Sequence, residues 1–197
     1  LSHYNLNYFE SIYVREDGFI EWLTVDVLLF GSILCFVRAF RTRFRKGTAF
    51  FMVLVACGVV LLFGAGEEIS WGQRILDIKS SEFFLLKNSQ GETNLHNLVI
   101  NGIKVNKLIF GTILGILIGL YFIVLPILYK FVNGIKKLTD KFAIPVPRVL
   151  HILAYVLLAI MATFTASGKK GELLEFGGCW IFFLMFLFPV NKNIFEK

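Results

Sequence analysis

The sequence predicts an all-α fold: a polytopic transmembrane helix bundle of about five spans, with a long polar loop between spans two and three. Three observations predict it. Hydrophobic residues make up 56% of the chain and the mean hydropathy is +0.71, well above the usual composition of a soluble domain. Five apolar runs approach or reach the roughly 17–25 residues that a bilayer requires, at about 19–40, 48–63, 108–128, 149–166 and 173–190. The third observation is the partition of charge. With the N-terminus outside and the loops alternating, the inner side holds 12 Lys/Arg against only Asp140 and Glu196, while the outer side holds 8 basic and 12 acidic residues. That is the positive-inside pattern, and it predicts N-out, C-in.

The same map reassigns the high pI of about 9.3. The basic residues flank apolar spans, so the charge reads as topology and no nucleic-acid partner is expected. With 197 residues the chain makes one integral membrane domain, 1–197. Cys35, Cys57 and Cys179 all lie inside apolar runs and show no Cys-x-x-Cys spacing. They read as small buried residues, not as a disulfide framework or a metal site. A bacterial cytoplasmic (inner) membrane is the expected location.

The segment 1–18 is polar and acidic with Tyr4, Tyr8, Phe9 and Tyr13, residues that sit well at headgroup level. A short interfacial helix is expected there; the stretch lacks the basic start of a secretory leader. Span one carries Trp22 and Asp26, four apart on one helix face. At ~1.5 Å rise per residue, Asp26 lies about 10 Å below the start of the span. A carboxylate at that depth must be paired, hydrated or protonated, so it either joins helices or lines a polar cavity.

Span two ends in Gly64-Ala65-Gly66 and runs directly into Glu67-Glu68, with Ser70, Trp71, Gln73 and Arg74 following. It is short at 48–63, so the helix is expected to continue, which would set Glu67, Ser70, Trp71 and Arg74 along one face. The outer polar loop, 64–107, then offers an amphipathic helix at Ser81–Leu86 and a turn at Asn88–Gly91. A second short helix from Gly91 would put Glu92 and His96 four apart on one face. That spacing suits two metal ligands or an ion pair.

Span three repeats Gly111, Gly115 and Gly119, a small-residue ladder that predicts a helix-packing face, within the bundle or against another protein. The basic inner loop 129–148 suits anionic headgroups. His151 near the start of span four reads as a hydrogen-bonded interface residue. Thr163, Thr165, Ser167, Glu172 and Glu175 bring more polar groups to the outer level. No phosphate-binding Gly loop, Gly-x-Ser-x-Gly elbow or His-Glu-x-x-His helix is present.

The stretch Gly-Glu-Glu-Ile-Ser-Trp-Gly-Gln-Arg (Gly66–Arg74), followed by Asn88-x-Gln90-x-Glu92-x-Asn94-x-His96-Asn97, resembles a family of small bacterial multi-pass membrane proteins with no assigned activity. The resemblance covers less than a fifth of the chain and implies a multi-pass membrane fold but no chemistry. The multi-histidine pattern of membrane ceramidase-like hydrolases is missing.

The polar residues therefore converge on one membrane side, and three functions are open. The first is a non-catalytic subunit or accessory protein of a larger membrane complex. Here Asp26, Trp71, Gln73, Gln90, Asn94, Asn97 and Glu175 form a satisfied polar network, and the Phe-rich surface (22 Phe) and the glycine face meet lipids or partner proteins. The second is a membrane-embedded enzyme on a lipid or lipid-linked substrate. Its catalytic candidates are Glu67, Glu68, Arg74, Glu92 and His96, with Glu68, Glu92 and His96 able to hold a divalent metal or to act as acid and base, and Arg74 to hold an anionic headgroup. The third is ion or proton movement from a vestibule around Asp26 and the glutamates.

Overall fold

The computed structural model describes residues 2–15, 18–105 and 114–196. Among the described residues three helices are long and apolar enough to cross a membrane: α2 (Phe19–Thr42), α3 (Thr48–Glu68) and α5 (Leu114–Phe131). Two more run alongside them. α7 (Val149–Thr163) is apolar but shorter, and α8 (Lys170–Leu187) opens with Lys170, Glu172 and Glu175 in its first turns. The rest of the helical structure is peripheral. It comprises α1 (Leu6–Tyr8) with a π-type turn over Phe9–Tyr13, α4 (Glu82–Lys87) and α6 (Asn133–Lys141).

The helices begin where the chain punctuates them. Gly18 and Gly47 stand in extended backbone immediately before α2 and α3. Glu21 lies in the first turn of α2 and Arg41 in its last, each at the end where the helix dipole favours its charge. The turn between α2 and α3 closes through Arg45 and Lys46 N–H groups donating to the Thr42 carbonyl, each at 2.9 Å.

The hairpin of α2 and α3 is the most extensive contact in the fold, and α8 lies along α2 with α7 against α8. Small residues set the approach. A Cβ on Gly58 would lie 3.0 Å from the Phe36 ring, and the Ser32 hydroxyl donates to the Gly58 carbonyl at 2.8 Å. α5 joins through Phe122, which is buried among Tyr155, Phe182, Ile181 and Met185. Otherwise α5 is bare: only 6% of its apolar stretch is buried within the chain. Gly115 and Gly119 have no atom near enough to meet an added Cβ, so this part of the ladder packs nothing inside the described structure; Gly111 lies outside the described residues.

Arg38 closes the far end of the bundle. Its guanidinium donates to the carbonyls of Phe186 and Leu187 at the end of α8 and stacks 4.5 Å over the Phe195 ring. The carbonyls it reaches belong to a helix terminus that has lost its own donors. Replacing Arg38 with Met is expected to lower stability by about 3 kcal/mol, through two lost charged hydrogen bonds and an orphaned helix end. Thermal unfolding in detergent checks this, with exposed Arg41→Met expected to unfold like the wild type.

Candidate functional site: a polar cavity at the opposite end

The expected continuation of α3 does not occur. The helix stops at Glu68, and the chain turns through a single 3-10 turn, Ser70–Gly72. Ser70 and Trp71 both take left-handed backbone, with φ of 47° and 56°. For non-glycine residues that conformation costs roughly 1–2 kcal/mol each. Side-chain bonds hold both. Ser70, fully buried, donates to Glu92 Oε2 at 2.6 Å and accepts from Asn94 Nδ2 at 2.8 Å. The Trp71 indole folds back over the helix end and donates to Glu67 Oε1 at 2.8 Å. Gly66 makes that possible, because a Cβ there would sit 2.8 Å from the indole ring.

The loop from 88 to 98 is not helical, so Glu92 and His96 do not share a helix face. It is a knot of amide bonds. Asn88 closes the turn at Gly91: its Oδ1 accepts from Gln90 N at 2.8 Å and its Nδ2 donates to Asn94 Oδ1 at 2.8 Å. Gln73 reaches across, donating to Ser80 Oγ at 2.6 Å and accepting from Thr93 N at 2.7 Å. The loop then leaves through a two-residue hairpin, β1 (Val99–Ile100) with β2 (Ile103–Lys104), turned at Asn101-Gly102. Asn-Gly between apolar residues is the strongest short hairpin signal, and the sequence carries it at Ile100–Ile103.

Two carboxylates anchor this knot to the bundle. Glu67 is buried, and beyond the Trp71 indole its Oε2 accepts from Leu95 N at 2.6 Å and His96 N at 3.2 Å. Glu92 Oε1 pairs with Arg74 Nη1 at 3.1 Å, while Arg74 Nη2 meets Glu21 Oε1 on α2 at 3.1 Å. The guanidinium therefore bridges α2 to the loop. In this Glu21–Arg74–Glu92 bridge Arg74 spends its charge on protein carboxylates.

Beside the knot lies a cavity of about 100 Å³. Its wall includes Glu21, Glu68, Glu92, His96, Glu172 and Glu175. Gln90, Asn94 and Asn97 add amides, and Arg15 and Lys169 add exposed positive charge. Glu68 and Glu175 are neighbours on this wall. The adjacent Glu67 and Glu68 therefore face different surroundings. Glu67 turns to the returning loop and its donors, and Glu68 faces the cavity with Glu175 on the same wall.

His96 completes the wall. Its Nε2 lies 3.1 Å from Asn97 Nδ2, and its Nδ1, 3.9 Å from Glu67 Oε2, is buried without a hydrogen-bond partner among the described residues. Burial pushes the imidazole pKa below its ordinary value of 6.5, and the Glu67 and Glu92 charges do not overcome this. The ring is neutral at pH 7, able to accept a proton.

The sequence-derived candidates separate here. Glu68, Gln90, Glu92, Asn94, His96, Asn97 and Glu175 come together at the cavity. Glu67, Trp71, Gln73 and Arg74 support it. Asp26 does not belong to it: it lies on the exposed face of α2. Glu68, Glu92 and His96 do not form a metal-holding group, and no group of three His, Cys, Asp or Glu does so among the described residues. Glu92 is committed to Ser70, Asn94 and Arg74. His151 caps α7, its Nδ1 accepting from Arg148 N at 3.2 Å. Arg15 and Lys169 were not anticipated, because only folding brings the N-terminal segment over α8. Three contacts pin it there: His3 to the Phe164 carbonyl, Ser167 Oγ donating to Glu10, and Lys169 Nζ donating to the Val14 carbonyl.

Fold and site together define a helical protein with membrane-length apolar helices and a carboxyl-lined cavity at one end. Comparison with protein families, curated proteins and solved structures finds no match to the chain.

Two outcomes are expected of these contacts. Gly66→Ala should expel the indole and break the Trp71–Glu67 bond, at a cost of about 1–3 kcal/mol. Red-shifted emission from a protein that keeps only Trp71, with faster hydrogen exchange at Leu95 and His96, reports it. His96 titrates with a sign that follows from its depressed pKa. Unfolded chains bind the proton near pH 6.5 and the folded protein does so only lower, so its stability contribution is present above pH 6.5 and is lost as pH falls. The unfolding free energy of wild type minus that of His96→Gln should therefore decline from pH 7 to pH 5.

Proposed function

We propose that this chain is a membrane-embedded enzyme that performs acid–base chemistry on the polar headgroup of an amphiphilic, lipid-like substrate. The observation that carries the reading is the meeting of Glu68 and Glu175 in a cavity at the end of the bundle, with neutral His96 on the same wall. A carboxyl pair that holds one proton can both donate and accept. In a hydrolytic step, His96 or the ionised carboxylate takes a proton from water as its oxygen attacks the ester or phosphoester centre. The protonated carboxyl gives its proton to the departing alcohol oxygen. Arg15 and Lys169, exposed at the cavity, suit the anionic part of a headgroup. Glu67, Ser70 and Asn94 hold the geometry without taking part.

The topology that goes with this reading has five spans, N-terminus outside and C-terminus inside, in a bacterial cytoplasmic membrane. α7 and α8 serve as spans four and five, and the cavity opens at the outer leaflet. The charge partition supports it, because the cavity end carries the acidic excess.

Purified protein incubated with a panel of bacterial phospholipids and lipid-linked sugars, followed by mass spectrometry of the products, tests the proposal. Turnover by wild type is expected, with Glu68→Gln and Glu175→Gln reduced at least 100-fold while their thermal unfolding stays cooperative. Absence of turnover across the panel, or unchanged turnover in the Glu68→Gln/Glu175→Gln double variant, overturns it.

A second reading rests on a different observation. α5 is almost wholly unburied and shows an open Gly115/Gly119 face, which supports an accessory subunit whose partner covers that helix. Native co-purification of a stoichiometric membrane partner, lost on Gly115→Leu, would favour it. A route for ions has less support, since Asp26 stands apart from the cavity.

A further inference from the structure

The end of the bundle opposite the cavity carries a surface that none of this chemistry uses. Here α2 ends, α3 begins, α5 ends and α8 ends. Arg41 is exposed in the last turn of α2, Arg43 and Arg45 on the turn that follows, and Lys136, Lys137 and Lys141 on α6. The carboxylates at this end do not neutralise them. Asp140 accepts from Tyr129 Oη at 3.0 Å and Asn191 Nδ2 at 3.1 Å, and Glu196 pairs with Lys192 at 2.8 Å.

α6 is held at the rim of the apolar surface. Val132, in extended backbone, breaks the helix after α5 and lets the chain change direction. Thr139 is buried against the protein, and Asp140 is clamped as described. Asn191 also accepts from Val146 N at 3.0 Å and donates to the Ile144 carbonyl at 2.9 Å, fixing the segment that follows α6. The helix cannot roll freely. It presents Leu138, half exposed, with Lys137 and Lys141 beside it one turn apart, and Phe131 at the end of α5 is 73% exposed. Apolar side chains flanked by lysines at the end of a membrane-length helix match the boundary between acyl chains and headgroups.

We propose that this end of the bundle is a binding surface for anionic phospholipid headgroups, with α6 as its docking element. The lysines and arginines meet lipid phosphates, and Phe131 and Leu138 enter the acyl boundary. The occupant follows from charge complementarity and from continuity with the lipid-facing surface of α5. The proposal is independent of the chemistry at the cavity.

The test uses the full chain in a neutral detergent, titrated with short-chain phosphatidylglycerol or phosphatidylcholine and read by native mass spectrometry. Phosphatidylglycerol adducts are expected to form at least tenfold more tightly than phosphatidylcholine adducts and to weaken with salt. A Lys136→Gln/Lys137→Gln/Lys141→Gln variant should lose roughly 100-fold, since each lysine near an anionic surface contributes about fivefold. Lys79→Gln, exposed in the loop at the cavity end and outside the cavity wall, should bind as wild type does. Should the triple variant fold poorly, Lys137→Gln/Lys141→Gln is expected to lose about 25-fold. Equal affinity for both lipids, an unchanged triple variant, or a surface that binds a co-purifying protein in place of phosphatidylglycerol overturns the proposal.

Discussion

The Glu67 carboxylate, buried at the last turn of α3, is the interaction on which the cavity end depends. An ion taken out of water costs several kcal/mol unless donors replace its hydration. Three do so here: the Trp71 indole, Leu95 N and His96 N. Two of those donors lie 28 and 29 residues further along the chain. Satisfying one buried charge therefore requires the whole loop to fold back onto the helix end. The left-handed Ser70 and Trp71 are the local strain of that return, and the polar bonds around them offset it.

Glu67 and Glu68 are neighbours with opposite environments. At the end of a helix, adjacent side chains point about 100° apart, so one residue meets the returning loop and the other meets α8. The loop side is saturated with donors. The α8 side offers Glu175, a second carboxyl on the cavity wall. Arg74 keeps the remaining acids from repelling one another by sitting between Glu21 and Glu92. The result is a cavity framed by Glu67, Ser70, Asn94 and Arg74, with Glu68 and Glu175 left to line it.

The two ends of the bundle are built on different physics. The cavity end is closed by side chain to main chain bonds from a long loop and from the N-terminal segment. The far end is closed by cations and amides that reach helix termini: Arg38 to the last carbonyls of α8, Arg148 to the Pro189 carbonyl, and Asn191 to the chain after α6. Those contacts leave most of the lysines and arginines of that end on the surface.

The sequence by itself determined the class, the helices and the polar segment. Hydropathy and length are properties of contiguous residues, so α2 and α3 were legible to within a few residues; so was the amphipathic α4. It also marked Gly66–Asn97 as the stretch where unlike polar groups gather. Tertiary structure alone decided what they do. Periodicity carried α3 past Glu68 and drew a helix through Glu92 and His96, because a local pattern cannot register a carboxylate that must find donors 28 residues away. For the same reason Asp26 and Glu175 looked alike in the sequence. One faces outward, and the other meets Glu68, because helix rotation within a bundle is set by long-range packing rather than by composition.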